Sequence, residues 1–296
     1  MTKGLAFLPE VALSRPIQRR VRVAPNLFIL PESNNLVGKL KQSIENAGYR
    51  IENGIFLYFE GPLIADCTLY EIFQSYGLAL TFFYQGRASN RAQLEILPSG
   101  PAHLELFIDE YDKFNVDPDD LRTINGKDFK KIGAYYQKIL TTLSNSGFDG
   151  LVNSLDFFSK YLTENNIKIR LLYLNICLES LFLGGADAEG ISYKLSTRCA
   201  YLLHKHNKTT SKQSTYTEVK NGYILRSKII HGGDYEKESG KIIRGPSRST
   251  SELDHVIILE EILKRAFKII FGNEDLFTSV KEGTLGEKID KDMILI

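Results

Sequence analysis

The chain has 296 residues, which is enough for two domains that each bury a core of their own. Hydrophobic residues make up 43% and charged residues 25% of the sequence, values that are typical of globular proteins and exclude a largely disordered chain. The formal net charge of +1 excludes attraction of nucleic acid by the field of the whole molecule, so any such binding must depend on local basic patches.

Cysteine usage and hydropathy bear on where the protein is found. Cys67, Cys177 and Cys199 are odd in number, widely spaced and set among apolar residues. This pattern argues against a disulfide framework and against a zinc site, and it suits a reducing compartment. No apolar run approaches the roughly 18 residues that span a bilayer, and the apolar part of the first residues is too short for a secretory signal. We therefore expect a cytoplasmic protein that does not enter a membrane.

The first 125 residues mix strand and helix signals and predict an α+β domain. Asn35 and Asp66 are available as helix caps, and the pair Asn53 and Gly54 supplies the positive φ angles that a tight hairpin turn requires. Prolines bound the first short strands. In chain order we expect strands at 17–23 and 27–30, a helix over 37–47, a hairpin over 49–59, a helix over 66–76, and strands at 78–84 and 103–108.

The second half of the chain is dominated by helix signals. An acidic, turn-rich stretch at 109–126 is typical of a domain edge. Residues 232–251 predict a mobile loop, and the residues from 276 onward predict an irregular polar tail. The third predicted helix is apolar on nearly every side, so we expect it to be the buried central helix. The six predicted helices are 128–145, 149–165, 167–184, 189–206, 214–231 and 251–272.

The sequence thus predicts a two-domain α+β chain. An N-terminal mixed α/β domain is expected at 1–125 and an all-α helical bundle at 126–275, with a C-terminal tail at 276–296. The strongest functional signal lies in the bundle, at residues 222–233. This stretch indicates the last turns of a helix that Gly232 and Gly233 stop. From 204 to 231 the chain has six lysines or arginines against one acid, a local excess that favours phosphate binding.

Arg226 and His231, in that stretch, are a combination that can cleave RNA without a metal ion. The 2′-hydroxyl attacks the adjacent phosphate, and a histidine of ordinary pKa about 6.5 can take or give a proton near neutral pH. An arginine can hold the phosphate bidentately and stabilise the transition state. On an ideal helix the two side chains lie about 140° apart. They share a pocket more easily if His231 lies on the fraying last turn, or if a second copy of the helix packs against the first.

The same spacing also arises without function, because Arg198 and His204 form a second instance. Arg198 lies in an apolar helix face, where an arginine more often pairs with a buried acid. Glu179, a single acid late in the most apolar helix, is the expected partner. His204 and His206 lack the Cys or acid that would complete a metal spacing, so we expect no metal ion and no cofactor. A solvated or edge-protecting role is expected for the basic cluster of Arg15, Arg19, Arg20 and Arg22.

Three blocks of the helical half occur in the order and at the separations of a known family. The first is the apolar helix at 170–182 with its Leu-Glu-x-Leu pattern, and the second is the helix at 191–203 around Arg198. The third is Arg226-Ser-Lys-Ile-Ile-His-Gly-Gly233. Over about residues 145–272 the chain therefore resembles the Apea-like branch of the HEPN superfamily (higher eukaryotes and prokaryotes nucleotide-binding domain).

The resemblance implies an α-helical bundle that dimerises and brings Arg and His from both protomers to one cleft. It also implies metal-independent endoribonuclease activity, often in antiviral defence or toxin–antitoxin systems, with Arg226 and His231 as catalytic residues. Gly233 stands where a family variant has Tyr two residues after the His, so a switch by tyrosine modification is not expected. The expected supporting residues are Ser227, Lys228, Glu179 and Arg198.

Three classes of function follow from this reasoning. The first is a homodimeric ribonuclease with an RNA substrate and a composite active site. The second is a HEPN-like bundle that binds RNA or a partner protein without cutting, in which Arg226 and His231 stabilise the dimer. The third is a structural adaptor that works through residues 1–125. That segment lies outside the resemblance and is a candidate surface for a regulatory partner.

Overall fold

The structure is a computed structural model. It describes residues 2–8, 11–13, 18–46, 55–63, 67–84, 92–97, 100–106, 122–124, 126–144, 149–183, 189–245 and 247–294. Within these ranges the chain is an α+β protein, because strands occur only before residue 125 and helices occur throughout. The chain forms two compact units, Met1–Ser144 and Asn145–Ile296. None of the described helices combines the length and the hydrophobicity needed to cross a membrane.

The first unit combines strands with three helices in its described part. Its strands are β1 (Thr2–Leu8), β2 (Val11–Leu13), β3 (Val21–Ala24), β4 (Leu27–Leu30), β5 (Ile55–Gly61), β6 (Ala92–Leu97), β7 (Gly100–Leu106) and β8 (Arg122–Ile124). Its helices are α1 (Asn35–Asn46), α2 (Leu69–Tyr84) and α3 (Phe129–Leu143).

Strand β1 lies inside an antiparallel sheet with the order β3-β4-β5-β1-β6-β7. It pairs with β5 along its whole length, with Thr2 opposite Gly61. Residues 5–8 are fully buried because helices cover both faces of β1. Helix α1 packs on the face that carries Phe7. On the other face a Cβ at Gly4 would come within 2.8 Å of Leu69 in α2, so the absence of a side chain there lets that helix approach.

Helix α2 corrects two predictions, a helix ending at 76 and a strand at 78–84. The structure has one continuous helix over Leu69–Tyr84. A capping box starts it: Thr68 donates its N–H to Glu71 Oε2 at 2.7 Å, and Glu71 donates its N–H to Thr68 Oγ1 at 3.2 Å. Residues 78–82 are buried, and a short apolar run does not distinguish a buried helix from a strand.

The other predictions for this unit have mixed outcomes. Strand β4 is confirmed at Leu27–Leu30, and β7 overlaps the strand expected at 103–108. Strand β3 is shorter than predicted, and β1, β2, β6 and β8 were not predicted. Helix α1 is confirmed, but its cap is Asn34, whose side chain accepts the Leu36 N–H at 2.9 Å. The hairpin turn at 53–54, the cap at Asp66, and most of the expected domain edge at 109–126 lie outside the described residues.

Helix α3 belongs to the first unit, whereas the sequence places the start of the helical half at 126. It packs against α2 and β3, with the rings of Tyr136 and Tyr76 in edge contact at 5.8 Å. Gly133 makes the approach to β3 possible, because a Cβ there would lie 2.4 Å from the Val23 carbonyl oxygen. The division of the chain therefore falls between Ser144 and Asn145.

The second unit is entirely helical in its described part. Its helices are α4 (Asp149–Thr163), α5 (Ile167–Phe182), α6 (Ile191–His206), α7 (Lys212–Ile230), α8 (Tyr235–Ile243), α9 (Glu252–Gly272), α10 (Glu274–Lys281) and α11 (Leu285–Ile294). The five helices predicted here are confirmed, with ends shifted by no more than two residues. Helix α5 is confirmed as the central one, since it packs against α4, α6, α7, α9 and α11.

Two segments of this unit differ from the prediction. The expected loop at 232–251 contains helix α8, which Asp234 caps by accepting the Lys237 N–H at 3.0 Å. The expected polar tail forms α10 and α11, which bury apolar side chains such as Phe277 and Ile289. Both errors have one cause. Helices of two to three turns contain so few apolar residues that their periodicity is hidden by the charged residues between them.

Candidate functional site

Helix α7 carries Arg226 and ends at the predicted glycine stop. His231 is the C-cap residue, with φ −94° and ψ 11°, and Gly232 follows with φ +66°. Gly233 donates its N–H to the Lys228 carbonyl oxygen at 3.0 Å. A left-handed glycine combined with this hydrogen bond is a Schellman motif. The predicted stop is therefore confirmed, and it turns the chain away from the helix directly after His231.

A second glycine, Gly222, lets α7 lie directly on α5 and α9. A Cβ at Gly222 would come within 2.8 Å of the Leu259 side chain and 3.3 Å of Asn175 Oδ1. Arg226 lies one helical turn after Gly222, and Glu179 lies one turn after Asn175. The close approach of the two helices therefore brings Arg226 and Glu179 to the same place.

Arg226 and Glu179 form a partly exposed ion pair. The Arg226 Nε lies 3.1 Å from Glu179 Oε1, and Nη2 donates a hydrogen bond to Oε2 at 3.3 Å. The side chains are 22% and 21% exposed. The Nε contact lacks hydrogen-bond alignment, so Nε and Oε1 have no hydrogen-bond partner. A guanidinium has five N–H donors, and only Nη2 donates to Glu179 while Nε is buried. The remaining Nη donors can bind a second anion such as a phosphate.

Two further groups surround this pair. The Tyr223 ring centre lies 5.8 Å from the Arg226 guanidinium carbon, within cation–π range. Burial raises the pKa of Glu179, and the positive charge of Arg226 acts in the opposite direction with a smaller effect. A carboxyl group with a raised pKa next to a partly exposed arginine is found both in structural ion pairs and at active sites. Sequence reasoning missed Tyr223, although its position three residues before Arg226 is a signal for contact on a helix.

The predicted pair of Glu179 with Arg198 is wrong, because Arg198 binds α11 instead. Its Nε and Nη2 donate to the two carboxylate oxygens of Asp290 at 3.0 and 2.6 Å, and its Nη1 donates to the Phe182 carbonyl oxygen at 2.9 Å. The Arg198 side chain is only 4% exposed. A Cβ at Gly286 would come within 2.5 Å of Nη1, so this glycine makes the room. Arg198 therefore holds helices together and is not accessible to a substrate.

His231 lies apart from the ion pair. It is exposed, its backbone N–H donates to the Ser227 carbonyl oxygen at 3.0 Å, and its side chain has no hydrogen bond or ion pair within the described ranges. Ser227 and Lys228 are half-buried beside it, and the Lys228 side chain runs along Gly233. The Arg226 guanidinium turns to α5 instead. Within one chain the structure thus brings Arg226 to Glu179, and among the described residues no hydrogen bond joins Arg226 to His231.

Glu218, the only acid in the sequences of α6 and α7, is buried against residues 247–255. It is 1% exposed and accepts hydrogen bonds from Ser247 Oγ at 2.9 Å and the Arg248 N–H at 2.6 Å, while His255 Nδ1 lies 3.3 Å away. Burial alone raises its pKa, but the bonds from His255, Arg248 and Ser247 outweigh it and lower the pKa to about 2. The exposed side of α7 therefore has no negative charge of its own.

Two of the weaker candidates, His204 and Arg20, make structural contacts in the described part of the chain. His204 Nδ1 lies 2.9 Å from the Thr210 carbonyl oxygen. No group of three His, Cys, Asp or Glu side chains there is arranged to hold a metal ion. In the basic cluster, Arg20 pairs with Glu60 at 3.0 Å and lies over the Phe28 ring at 3.4 Å, next to β3 at the edge of the sheet. Arg15 lies outside the described residues.

No family model matches the chain, and neither the curated proteins nor the solved structures contain a significant match. The case for a function therefore depends on the geometry and charge around Arg226 and on the sequence blocks described above.

Proposed function

We propose that this protein is a metal-independent endoribonuclease of HEPN type that acts as a homodimer, in antiviral defence or a toxin-like stress response. One observation carries the proposal. Arg226 is held in place by Glu179 while Nη donors remain unbonded, and it lies five residues before an exposed histidine at the helix stop. Arg226 is thus a positioned side chain that can bind a phosphate, and His231, at the same end of the helix, is an accessible side chain that can transfer a proton.

The proposed reaction is a phosphoryl transfer within RNA, in which the 2′-oxygen of one nucleotide replaces the 5′-oxygen of the next nucleotide on phosphorus. The 2′-oxygen forms a bond to phosphorus, the bond from phosphorus to the 5′-oxygen breaks, and a 2′,3′-cyclic phosphate and a 5′-hydroxyl remain. Arg226 binds the non-bridging oxygens and stabilises the charge that develops on them. The attacking 2′-hydroxyl loses a proton and the leaving 5′-oxygen gains one; His231 carries out one of these transfers, and solvent water carries out the other. The attacking group limits the substrate to RNA.

The geometry within one chain supports a composite site. The Arg226 guanidinium turns to α5, whereas the His231 imidazole is exposed at the end of α7. In the proposed dimer, the histidine of a second copy of this helix end lies beside the first copy's arginine. Ile230, which is 46% exposed next to His231, offers such a partner an apolar contact.

Location and regulation belong to the same proposal. The three cysteines are buried and not disulfide-bonded, which supports a cytoplasmic location because cytoplasmic thiols stay reduced. Residues 1–125 are proposed to bind a regulatory partner, since the residues proposed for RNA cleavage all lie in the second unit.

The proposal is tested by incubating the purified full-length protein with a labelled single-stranded RNA in EDTA. We expect fragments with cyclic phosphate ends, and loss of cleavage in Arg226→Ala and in His231→Ala. His204→Ala, from the other Arg and His pair, should cleave like the wild type. Equal cleavage by His231→Ala would refute the assignment.

Mixing the two inactive variants tests the composite site. In a heterodimer of Arg226→Ala with His231→Ala, one of the two sites combines an intact arginine with an intact histidine from the other chain. If subunits exchange freely, half of the dimers are mixed, so we expect about a quarter of wild-type activity to return. A site formed within one chain would give no recovery.

A second candidate function is a HEPN-like module that binds RNA or a protein without cutting. The observation that favours it is the ion pair itself, because a guanidinium engaged by a carboxylate can serve stability alone. In that case no RNA is cut by the wild type, and His231→Ala changes the oligomeric state or the melting temperature.

A further inference from the structure

One face of α7 alternates cationic and aromatic residues up to the proposed site. Successive members of the set are four, four, three and four residues apart, and this spacing places side chains on the same face of a helix. The lysines are exposed, and the tyrosines and the serine are half-buried. We call this face the α7 track. Its residues are Lys212, Tyr216, Lys220, Tyr223 and Ser227.

Helix α6 adds an exposed ring to the α7 track. Tyr193 is 64% exposed, and its ring meets Tyr216 edge to face with centroids 6.5 Å apart. Among the large hydrophobic side chains found exposed in the described ranges, it is the only aromatic one. Part of the Tyr193 ring is thus covered by Tyr216, while the exposed surface of Tyr193 is accessible to another flat group.

Cations lie against aromatic rings along the same helix. Lys212 Nζ lies 5.6 Å from the ring centre of Tyr201, and Lys220 Nζ lies 5.8 Å from that of Tyr216. The contact of Arg226 with Tyr223 continues the series to the site. From Lys212 to Arg226 the helix rises about 21 Å. The series is therefore long enough to meet several consecutive groups of an extended ligand.

The charge of this surface is positive although the whole molecule is nearly neutral. The sequences of α6 and α7 contain one acid, Glu218, and it is buried against residues 247–255. Lys212, Lys220 and Lys228 have no ion-pair partner within the described ranges. Uncompensated lysines beside aromatic rings complement a ligand that alternates phosphates with flat bases.

We infer that the α7 track and Tyr193 bind single-stranded RNA next to the phosphate at Arg226. Bases stack on Tyr193, and Lys212 and Lys220 bind the phosphates between them. The inference rests on the proposed function, which makes RNA the ligand of Arg226. The strand must be single, because the bases of a duplex are stacked on one another and do not reach a protein ring.

Binding is measured in the full-length His231→Ala protein, so that cleavage does not consume the ligand. The probe is a fluorescein-labelled twelve-nucleotide oligouridine, followed by anisotropy. Replacement of Tyr193 by Leu should raise Kd about tenfold, whereas Tyr193→Phe should retain the parent value, since stacking needs the ring and not the hydroxyl. Because Tyr193 is exposed, both variants should melt like the parent.

Salt dependence separates the lysines from the rings. Lys220→Ala should reduce the slope of log Kd against log salt by about 0.7, the value for one phosphate of a single strand. Lys291→Ala, an exposed lysine of α11 outside the α7 track, should leave both Kd and slope unchanged. A duplex RNA of the same length should bind more weakly than the single strand.

The outcomes for the α7 track and for the nuclease are separable. Unchanged Kd in both Tyr193→Leu and Lys220→Ala, or no binding of oligouridine by the parent, overturns the inference. If the wild type cleaves RNA while these variants bind like the parent, the nuclease stands and the α7 track does not. If the variants lose binding while the wild type never cleaves, the α7 track stands and the nuclease does not.

Discussion

Arg226 on α7 meets Glu179 on α5, 47 positions earlier in the chain, with Nε 3.1 Å from Oε1. About a fifth of each side chain is exposed, 22% and 21%. Because the pair is partly buried, solvent screens the attraction between the two charges only in part, and both charges remain partly hydrated. Its contribution to stability should therefore lie between that of surface pairs and that of buried pairs.

A double-mutant cycle of Glu179→Gln and Arg226→Gln measures this pair. Each single change leaves one group without its partner, whereas the double change leaves two neutral amides. We expect a coupling free energy of about 1–2 kcal/mol, obtained from urea unfolding followed by circular dichroism. Strictly additive single effects would mean that the two side chains act independently and that Glu179 does not hold Arg226.

The glycine stop after His231 has a matched control elsewhere in the unit. Gly232 and Gly190 have φ of +66° and +65°, and a Cβ at either would meet nothing within 4 Å. Substitution by Ala at either position should cost about 1 kcal/mol of unfolding free energy, through backbone strain alone. Only Gly232→Ala should also lower RNA cleavage, because only that turn positions His231. Equal loss of activity in both variants would contradict a special role for the stop.

Asp290 and Asp292 on α11 bind cations of very different burial. Asp290 pairs with Arg198, which is 4% exposed, and Asp292 pairs with Lys205, which is 45% exposed. Asp290→Asn should lower the free energy of unfolding by about 3 kcal/mol, because it leaves a buried guanidinium uncompensated. Asp292→Asn should cost less than about 1 kcal/mol. Both folded variants should cleave RNA like the wild type. Loss of cleavage in Asp290→Asn alone would indicate that Arg198 contributes to the active site.

Glu218 should make the free energy of unfolding of the second unit decrease at acidic pH. Its pKa in the folded chain is about 2, below the ordinary 4.5, so between these values the unfolded chain binds more protons. The contribution is therefore complete above pH 4.5 and is lost as the pH falls towards 2. At neutral pH it amounts to about 3 kcal/mol.

Urea unfolding of wild type and Glu218→Gln from pH 2 to 7 measures this contribution. We expect the difference in unfolding free energy between the two proteins to be constant above pH 4.5 and to shrink below it. A difference that does not vary with pH would show that the carboxylate charge is not what the network around Glu218 stabilises.

The sequence predicted the long helices of the second unit well, because α4 to α7 and α9 each contain several turns of regular apolar spacing. The short helices α8, α10 and α11 were missed, and α2 was divided into a helix and a strand. Residues 78–82 of α2 are all buried, Thr81 included, so the stretch shows no separate apolar and polar faces from which a helical period is recognised. For the candidate site, the sequence predicted the helix stop after His231, but it paired Glu179 with Arg198 instead of Arg226.

The sequence by itself determined the local part of this site, namely a helix end with an arginine, a histidine and a left-handed glycine. These features depend on backbone angles and on neighbours within one or two turns. Only the tertiary structure decided which charges meet. Glu179 binds Arg226, and Arg198 binds Asp290 at a separation of 92 positions. Glycines at helix crossings, such as Gly222 and Gly286, allow these contacts, and their effect becomes visible only when the helices are packed.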